Sequence, residues 1–403
     1  MFHPITIILM TAIAALAFLL LRSQGLLRSR RSLVLGIIFL AGAFLARLWV
    51  IEYETLDYQW FLSQWVQHFR DHGGFAGFAV PVGNYNVVYL YFLALFSYIP
   101  VPDLYLIKLL SILFDVILAF YVMQIVGLVG QNKGRQTVAF FTVLYLPTVF
   151  LNGAYWGQCD VIYAAFAMMS VYYALRGKPI LSMVAIALAF AFKLQAIFIF
   201  PLYLIFLCTK RLRIWHLPIF PLTYIAAILP AVFFGRPFWD TLLFYVTQAD
   251  STGRGLNYNA PSIFAFTQVR YDSQLALYGV IAAFVLVLLV YLLTLTRRRR
   301  MALTSEDFLV AALLFAVGVP LFLPQMHDRY FFLADVFAVS LGLSRLRYLP
   351  AILLTQFASL LGYHAYLRQA FLFPMHYGTI ALLVLTGGLF LGLLVRRRSR
   401  GLL

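Results

Sequence analysis

Charge is what this 403-residue sequence has least of: Asp, Glu, Lys and Arg together make up 11%, against about a quarter in a typical soluble domain. With 64% hydrophobic residues and a mean hydropathy of +0.91, that scarcity excludes a soluble globule and leaves a polytopic membrane protein. Cysteine is nearly absent. Cys159 and Cys208 fall in loop regions expected on opposite membrane faces, which excludes a structural disulfide between them. Soluble domains, low-complexity linkers and internal repeats are missing too. Acids number only 14, whereas Lys and Arg number 30 for a formal charge of +16. These cations gather in short runs between apolar stretches, as in cytoplasmic loops, which favours a lipid bilayer as partner and argues against nucleic acid.

What is present is apolar length. Stretches at 5–22, 33–51, 104–128, 217–234, 276–296 and 377–395 approach or exceed the roughly 20 residues of a straight span. The first is followed rather than preceded by arginines, the reverse of a cleavable signal peptide, so residues 1–31 read as an anchor helix with its basic loop. Residues 32–403 form one membrane domain.

Arg28 to Arg31, "RRRR" at 297–300 and "RRRSR" at 396–400 mark the inside face; Lys133 with Arg135, Arg176 with Lys178, "KRLR" at 210–213 and Arg345 with Arg347 mark it more weakly. Two inside markers require an even number of crossings between them. Between Arg31 and Lys133, therefore, the short Tyr-rich stretch 84–99 lies at the interface instead of spanning. Between Lys178 and Lys210 the chain crosses twice and turns near Lys193, since one long helix would bury that lysine in mid-membrane. The expected fold is all-α with about thirteen crossings, N-terminus outside and C-terminus inside.

This parity puts Glu52, Glu54, Asp57, Asp71, Asp103, Asp160, Asp240, Asp250, Asp272 and Asp328 outside, and only Glu306 and Asp307 inside. Four polar clusters share the outer face. "EYETLD" opens the loop 52–103, whose "DYQWFLSQWVQHF" repeats aromatics at helical spacing as an interfacial helix does. "NGAYWGQCD" at 152–160 carries Asn152, Gln158 and Asp160. Lys193 and Gln195 mark the turn between short helices, and "PQMHDRYFF" at 324–332 brings His327, Asp328 and Arg329.

Simple readings cover part of this. Acids ending a helix are ordinarily solvated, as for Glu52 and Glu54. Trp60 and Trp65 suit an interfacial belt, and Lys193 could snorkel. His327 with Arg329 opposes the positive-inside bias and reads as an anion site. A carboxylate with convergent cations suits chemistry on a lipid-borne phosphate: the acid takes a proton from a hydroxyl while the cations stabilise the departing phosphate.

In order along the chain, "LDYQWFLSQW", "VPVGNYNVVYLY", "LIKLLSILFDVI" with Lys108 and Asp115, "GAYWGQCD", "AFKLQAIFIFPLYL", "RGLNYNAPSIFAF" and "MHDRYFF" resemble the GT-C glycosyltransferases that use polyprenyl-phosphate sugars. The chain looks closest to bacterial relatives of the mannosyltransferase that adds the second mannose of GPI anchors. It is also similar to the dolichyl-phosphate-glucose glucosyltransferases of the ER. The usual Tyr-Pro-Pro of the second motif is absent.

The resemblance implies a GT-C fold and an inverting, metal-independent transfer of mannose or glucose to a glycan or glycolipid acceptor. It implies Asp57 as general base and Lys193, His327 and Arg329 at the donor phosphate. Gln158, Asp160, Asn257, Tyr258 and Asn259 would line the sugar or acceptor pocket. No cofactor beyond the lipid-linked donor is expected; Asp57 with Asp160 would be the carboxylates for a divalent metal if one were used. The setting implied is a bacterial plasma membrane with the site facing out. Two alternatives stay open: a transporter or flippase for a lipid-linked or anionic substrate, and a transferase with a diphosphate donor.

Overall fold

The computed structural model describes residues 3–251, 255–300 and 302–395. The arginine run at 396–400, Arg254 and the side chains of Asp250 and Arg300 lie outside the described residues. Among the described residues the regular structure is helical apart from a two-stranded ladder.

Among the described residues, seven helices are long and apolar enough to cross a membrane: Pro4–Ser23, Arg30–Val50, Asp103–Gly130, Ile214–Phe233, Ser273–Arg299, Ser305–Phe322 and His376–Leu394. An eighth is gained if Lys133–Tyr145 and Pro147–Trp156, bent by 45° at Leu146, count as one span. Parity asks for about thirteen. The difference lies in short apolar helices such as Asp160–Leu175, Pro179–Phe192 and Phe332–Ser344. At 1.5 Å per residue a helix of 14 residues is about 21 Å long, short of a hydrocarbon core of about 30 Å. Val87–Phe96, the segment parity keeps from spanning, has 10 residues and covers only about 15 Å.

The chain divides into two compact units. The first comprises Met1–Gly127, Asn132–Ala196 and Trp215–Thr252. Its centre is a helical hairpin, Asp160–Leu175 and Pro179–Phe192, joined by a turn at Arg176–Lys178. Arg30–Val50 is tied to Asp103–Gly130 by a buried ion pair, with Arg47 Nη2 at 2.8 Å and Nε at 2.9 Å from Asp115 Oδ2. Lys108, also fully buried, donates from Nζ to the carbonyls of Tyr53 (2.6 Å) and Val50 (3.3 Å). It thereby caps carbonyls that a helix C-terminus leaves without intrahelical partners.

The second unit comprises Leu128–Gln131, Ile197–Ile214 and Gly253–Leu403. Ser305–Phe322 and Phe332–Ser344 are buried along almost their whole lengths, in keeping with helices apolar on every face. At one end Glu306 receives Arg345 Nε at 3.0 Å and Arg347 Nη2, while Asp307 pairs with Arg297 at 3.1 Å. The two acids assigned by parity to the inside thus sit with three of the arginines that mark it.

Candidate active site

Asp57 lies where the chain leaves Arg30–Val50 and enters a π-helical turn, Tyr58–Leu62, that continues as the helix Ser63–Asp71. Buried Thr55 anchors this entry by donating its hydroxyl to the carbonyl of Trp156 at 2.9 Å. Trp156 ends a second π-helical stretch, Leu151–Trp156. Such widened turns shift side chains off the regular helical register and recur at functional sites.

Two donors converge on one carboxylate oxygen. Asp57 Oδ2 accepts from Trp156 Nε1 at 2.9 Å and from Gln158 Nε2 at 2.5 Å. Gln158 is itself held at both ends. Its Oε1 accepts from the Tyr85 hydroxyl at 3.0 Å, and its carbonyl accepts from Ser111 Oγ at 2.8 Å. Between Trp156 and Gln158 stands Gly157, with φ +80°, the left-handed conformation that closes a helix at little cost only for glycine.

Asp160 and Lys193 meet because of the hairpin. Asp160 is in the first turn of Asp160–Leu175, and Lys193 immediately follows Phe192, so an antiparallel pair brings them to the same end. Lys193 has extended backbone, φ −156° and ψ 134°, and there the helix breaks, at the turn expected from the cost of a mid-membrane lysine. Lys193 Nζ is 2.6 Å from Asp160 Oδ1, and Asn152 Nδ2 donates to Asp160 Oδ2 at 2.9 Å. Each charge faces the helix terminus of opposite sign, acid at the N-terminus and cation at the C-terminus. Lys193 Nζ also lies 5.5 Å from the centroid of the Tyr85 ring. Tyr85 therefore links Lys193 to Gln158 and so to Asp57.

Trp65 packs edge-on against Tyr85 with ring centroids 5.3 Å apart, whereas Trp60 is 65% exposed, as a belt residue should be. Glu52 and Glu54 are exposed; Glu52 accepts from the Tyr105 hydroxyl at 3.3 Å and Glu54 from the Gln59 amide at 3.2 Å. Tyr58, the residue after Asp57, donates to Asp103 Oδ2 at 3.2 Å, and burial followed by the neighbouring Asp103 carboxylate pushes its phenol well above the ordinary value.

In the second unit the remaining expected residues also come together. Asn257–Tyr258 pairs in parallel with Met326–His327, and Asn259, at φ +58°, bridges to His327. The Tyr258 and His327 rings stack at 4.7 Å with 12° between planes, and Tyr330 lies 5.1 Å from His327. Asn257 turns inward: its amide exchanges two 2.9 Å hydrogen bonds with the backbone of Ala260, so it holds the turn. Arg329 pairs with buried Asp328 at 3.5 Å. Gly362 backs this ladder, where a Cβ would stand 2.6 Å from the Asp328 carbonyl oxygen and 2.9 Å from that of Asn259.

Sequence reasoning thus selected Asp57, Gln158, Asp160 and Lys193, which the structure joins in the first unit, and Tyr258, Asn259 and His327, which share a ladder in the second, with Arg329 two residues beyond it and paired with Asp328. It did not single out Trp156, Tyr85 or Ser111. The available signal was a Trp and a Tyr inside the two polar segments "GAYWGQCD" and "VPVGNYNVVYLY". Among the described residues no three His, Cys, Asp or Glu side chains are grouped as a metal site needs.

The profile of glycosyltransferase family 87 matches residues 84–324, more than half of the chain. The chain belongs to glycosyltransferase family 87. No curated protein matches it. Family 87 membership makes the protein a membrane glycosyltransferase of GT-C type and sets aside the transporter reading. The family 87 match includes Tyr85, Gln158, Asp160, Lys193 and Asn257 to Asn259, while Asp57 precedes it and His327 to Arg329 follow it.

Proposed function

We propose that this family 87 enzyme transfers a hexose, mannose or glucose, from a polyprenyl-phosphate donor to a hydroxyl of a lipid-linked or cell-envelope glycan, with inversion and without a metal. The observation that carries the proposal is the Asp57 carboxylate, positioned on one oxygen by Trp156 and Gln158. Asp57 takes the acceptor proton as the hydroxyl oxygen attacks the anomeric carbon. The bond from that carbon to the phosphate oxygen breaks, and its electron pair leaves on the phosphate. Direct displacement inverts the anomeric centre.

Lys193, His327 and Arg329 are assigned to the phosphate, a diester in the donor that leaves as a polyprenyl phosphate monoester with less charge than a diphosphate. Asp160 orients Lys193 for this role. Gln158, Tyr258 and Asn259 are assigned to the sugar or acceptor, with Asp160 and Asn257 holding their surroundings. In this reading about thirteen crossings place the loop 52–103, with its interfacial helices, outside a bacterial plasma membrane and the C-terminus inside.

The test uses the full chain in detergent with a synthetic short-chain polyprenyl-phosphate mannose or glucose and excess EDTA. Asp57→Asn is expected to lower kcat by about 10²- to 10⁴-fold, the range for loss of a general base. Near wild-type turnover in that variant refutes the base assignment. Arg329→Gln is expected to raise the donor Kd at least several-fold, since a charge-assisted bond to phosphate contributes about 1.5–3 kcal/mol; an unchanged donor affinity removes Arg329 from the site. Transfer from a diphosphate donor at equal efficiency would contradict the assigned leaving group.

A further inference from the structure

A groove in the first unit is lined by side chains that the proposed transfer reaction does not use. Arg30–Val50 and Lys133–Tyr145 bound a groove of about 680 Å³. The two helices are held together at one level, where the Tyr145 hydroxyl donates to the Phe39 carbonyl at 2.7 Å and the Phe39 and Phe141 rings stand 5.4 Å apart. Toward their N-termini they leave a trough. Leu35, Phe39, Phe141 and Val138 line it, and Leu35, Phe39 and Val138 are each more than 40% exposed.

The trough ends in cations. Lys133 lines it directly, and Arg28, Arg30 and Arg31 are exposed in the loop and first turn that lead into Arg30–Val50. The Arg28 guanidinium lies over Gly25, another lining residue, with its Nε 2.7 Å from where a Cβ would be. No acid offsets this charge locally: residues 1–51 and 116–159, which supply both walls, contain neither Asp nor Glu. Both helices also begin at this end, and helix N-termini add a positive field.

From this we infer that the groove is a binding site for an anionic diacyl phospholipid, its phosphate on Lys133 and Arg28 and an acyl chain along Leu35, Phe39 and Val138. The apolar walls would contribute nothing to a soluble anion, and a zwitterionic headgroup brings a cation of its own into an already basic mouth. Basic pockets between membrane helices select anionic lipid headgroups for this reason. The site is separate from the Asp57 constellation, and its occupancy does not depend on the glycosyl-transfer assignment.

Native mass spectrometry of the full chain, equilibrated with equal amounts of phosphatidylglycerol and phosphatidylcholine of matched chains, tests the inference. Wild type is expected to retain phosphatidylglycerol at least fivefold over phosphatidylcholine. Arg28→Gln with Lys133→Gln should bring that ratio close to one, while Arg176→Gln, an exposed arginine elsewhere in the same unit, should leave it unchanged. Val138→Trp, which fills the trough from an exposed position, should lower retention of both lipids. No preference in wild type, an equal loss in Arg176→Gln, an unaltered ratio in the double variant, or displacement of the lipid by glycerol 3-phosphate would each overturn the assignment.

Discussion

Asp57 is one of three acids within six positions, and its neighbours distinguish it from the other two. Glu52 and Glu54 face solvent, Glu52 accepting from the Tyr105 hydroxyl and Glu54 from the Gln59 amide. Asp57 takes two N–H donors on a single oxygen, which fixes the plane of the carboxylate before any substrate arrives. Gln158 provides one of those donors only while its amide is oriented with nitrogen toward Asp57, and the Tyr85 hydroxyl on Oε1 sets that orientation. Tyr85→Phe removes the constraint and lets the amide flip, presenting oxygen to the carboxylate. The expected result is a roughly 5- to 10-fold drop in kcat, commensurate with one hydrogen bond of about 1 kcal/mol. The loss should be non-additive with Gln158→Leu in a double-mutant cycle of transfer rates. Additive losses would show that Tyr85 acts independently of Gln158.

At the scale of elements, the hairpin Asp160–Leu175 and Pro179–Phe192 does for the site what no local sequence feature does, bringing together residues 33 positions apart. The resulting ion pair is almost fully buried, at 1% exposure for the Asp160 side chain and 9% for that of Lys193. Removing one member leaves an uncompensated buried charge, which costs about 3–5 kcal/mol. Lys193→Met should therefore lower the unfolding midpoint in detergent markedly, and Asp160→Asn combined with Lys193→Met should recover much of the loss while staying inactive. A single variant as stable as wild type would mean that water or lipid reaches the pair. The break at Lys193 was readable in advance because a lysine in mid-helix at membrane depth is costly. The number of crossings was not readable in the same way, because helices of 13 to 16 residues fall below the length at which hydropathy identifies a span.

For the whole molecule, the proposed topology rests on the distribution of charge: with about thirteen crossings the termini would fall on opposite sides, with Asp57 outside and Glu306 inside. Single cysteines placed at Gln59 and Thr304 in a chain lacking Cys159 and Cys208 test this with a membrane-impermeant maleimide on intact cells. Labelling is expected at position 59 and not at position 304 until the membrane is opened; labelling of both from one side would contradict the parity. The grouping of Glu306 and Asp307 with Arg345, Arg347 and Arg297 agrees with their assignment to one face.

What the sequence determined by itself follows from local transfer energetics. Apolar length, the scarcity of acids and the placement of arginine runs depend on each segment's own preference for lipid or water, so membrane class, the main spans and the polar helix ends could be read residue by residue. Only the tertiary structure decided which polar groups meet. Trp156 and Gln158 reach Asp57 from 99 and 101 positions away, and Tyr85 reaches Gln158 from 73. A hydrogen bond acts over about 3 Å, so no pattern along the chain can specify such a partner. It is specified by the packing of the helices that carry both ends.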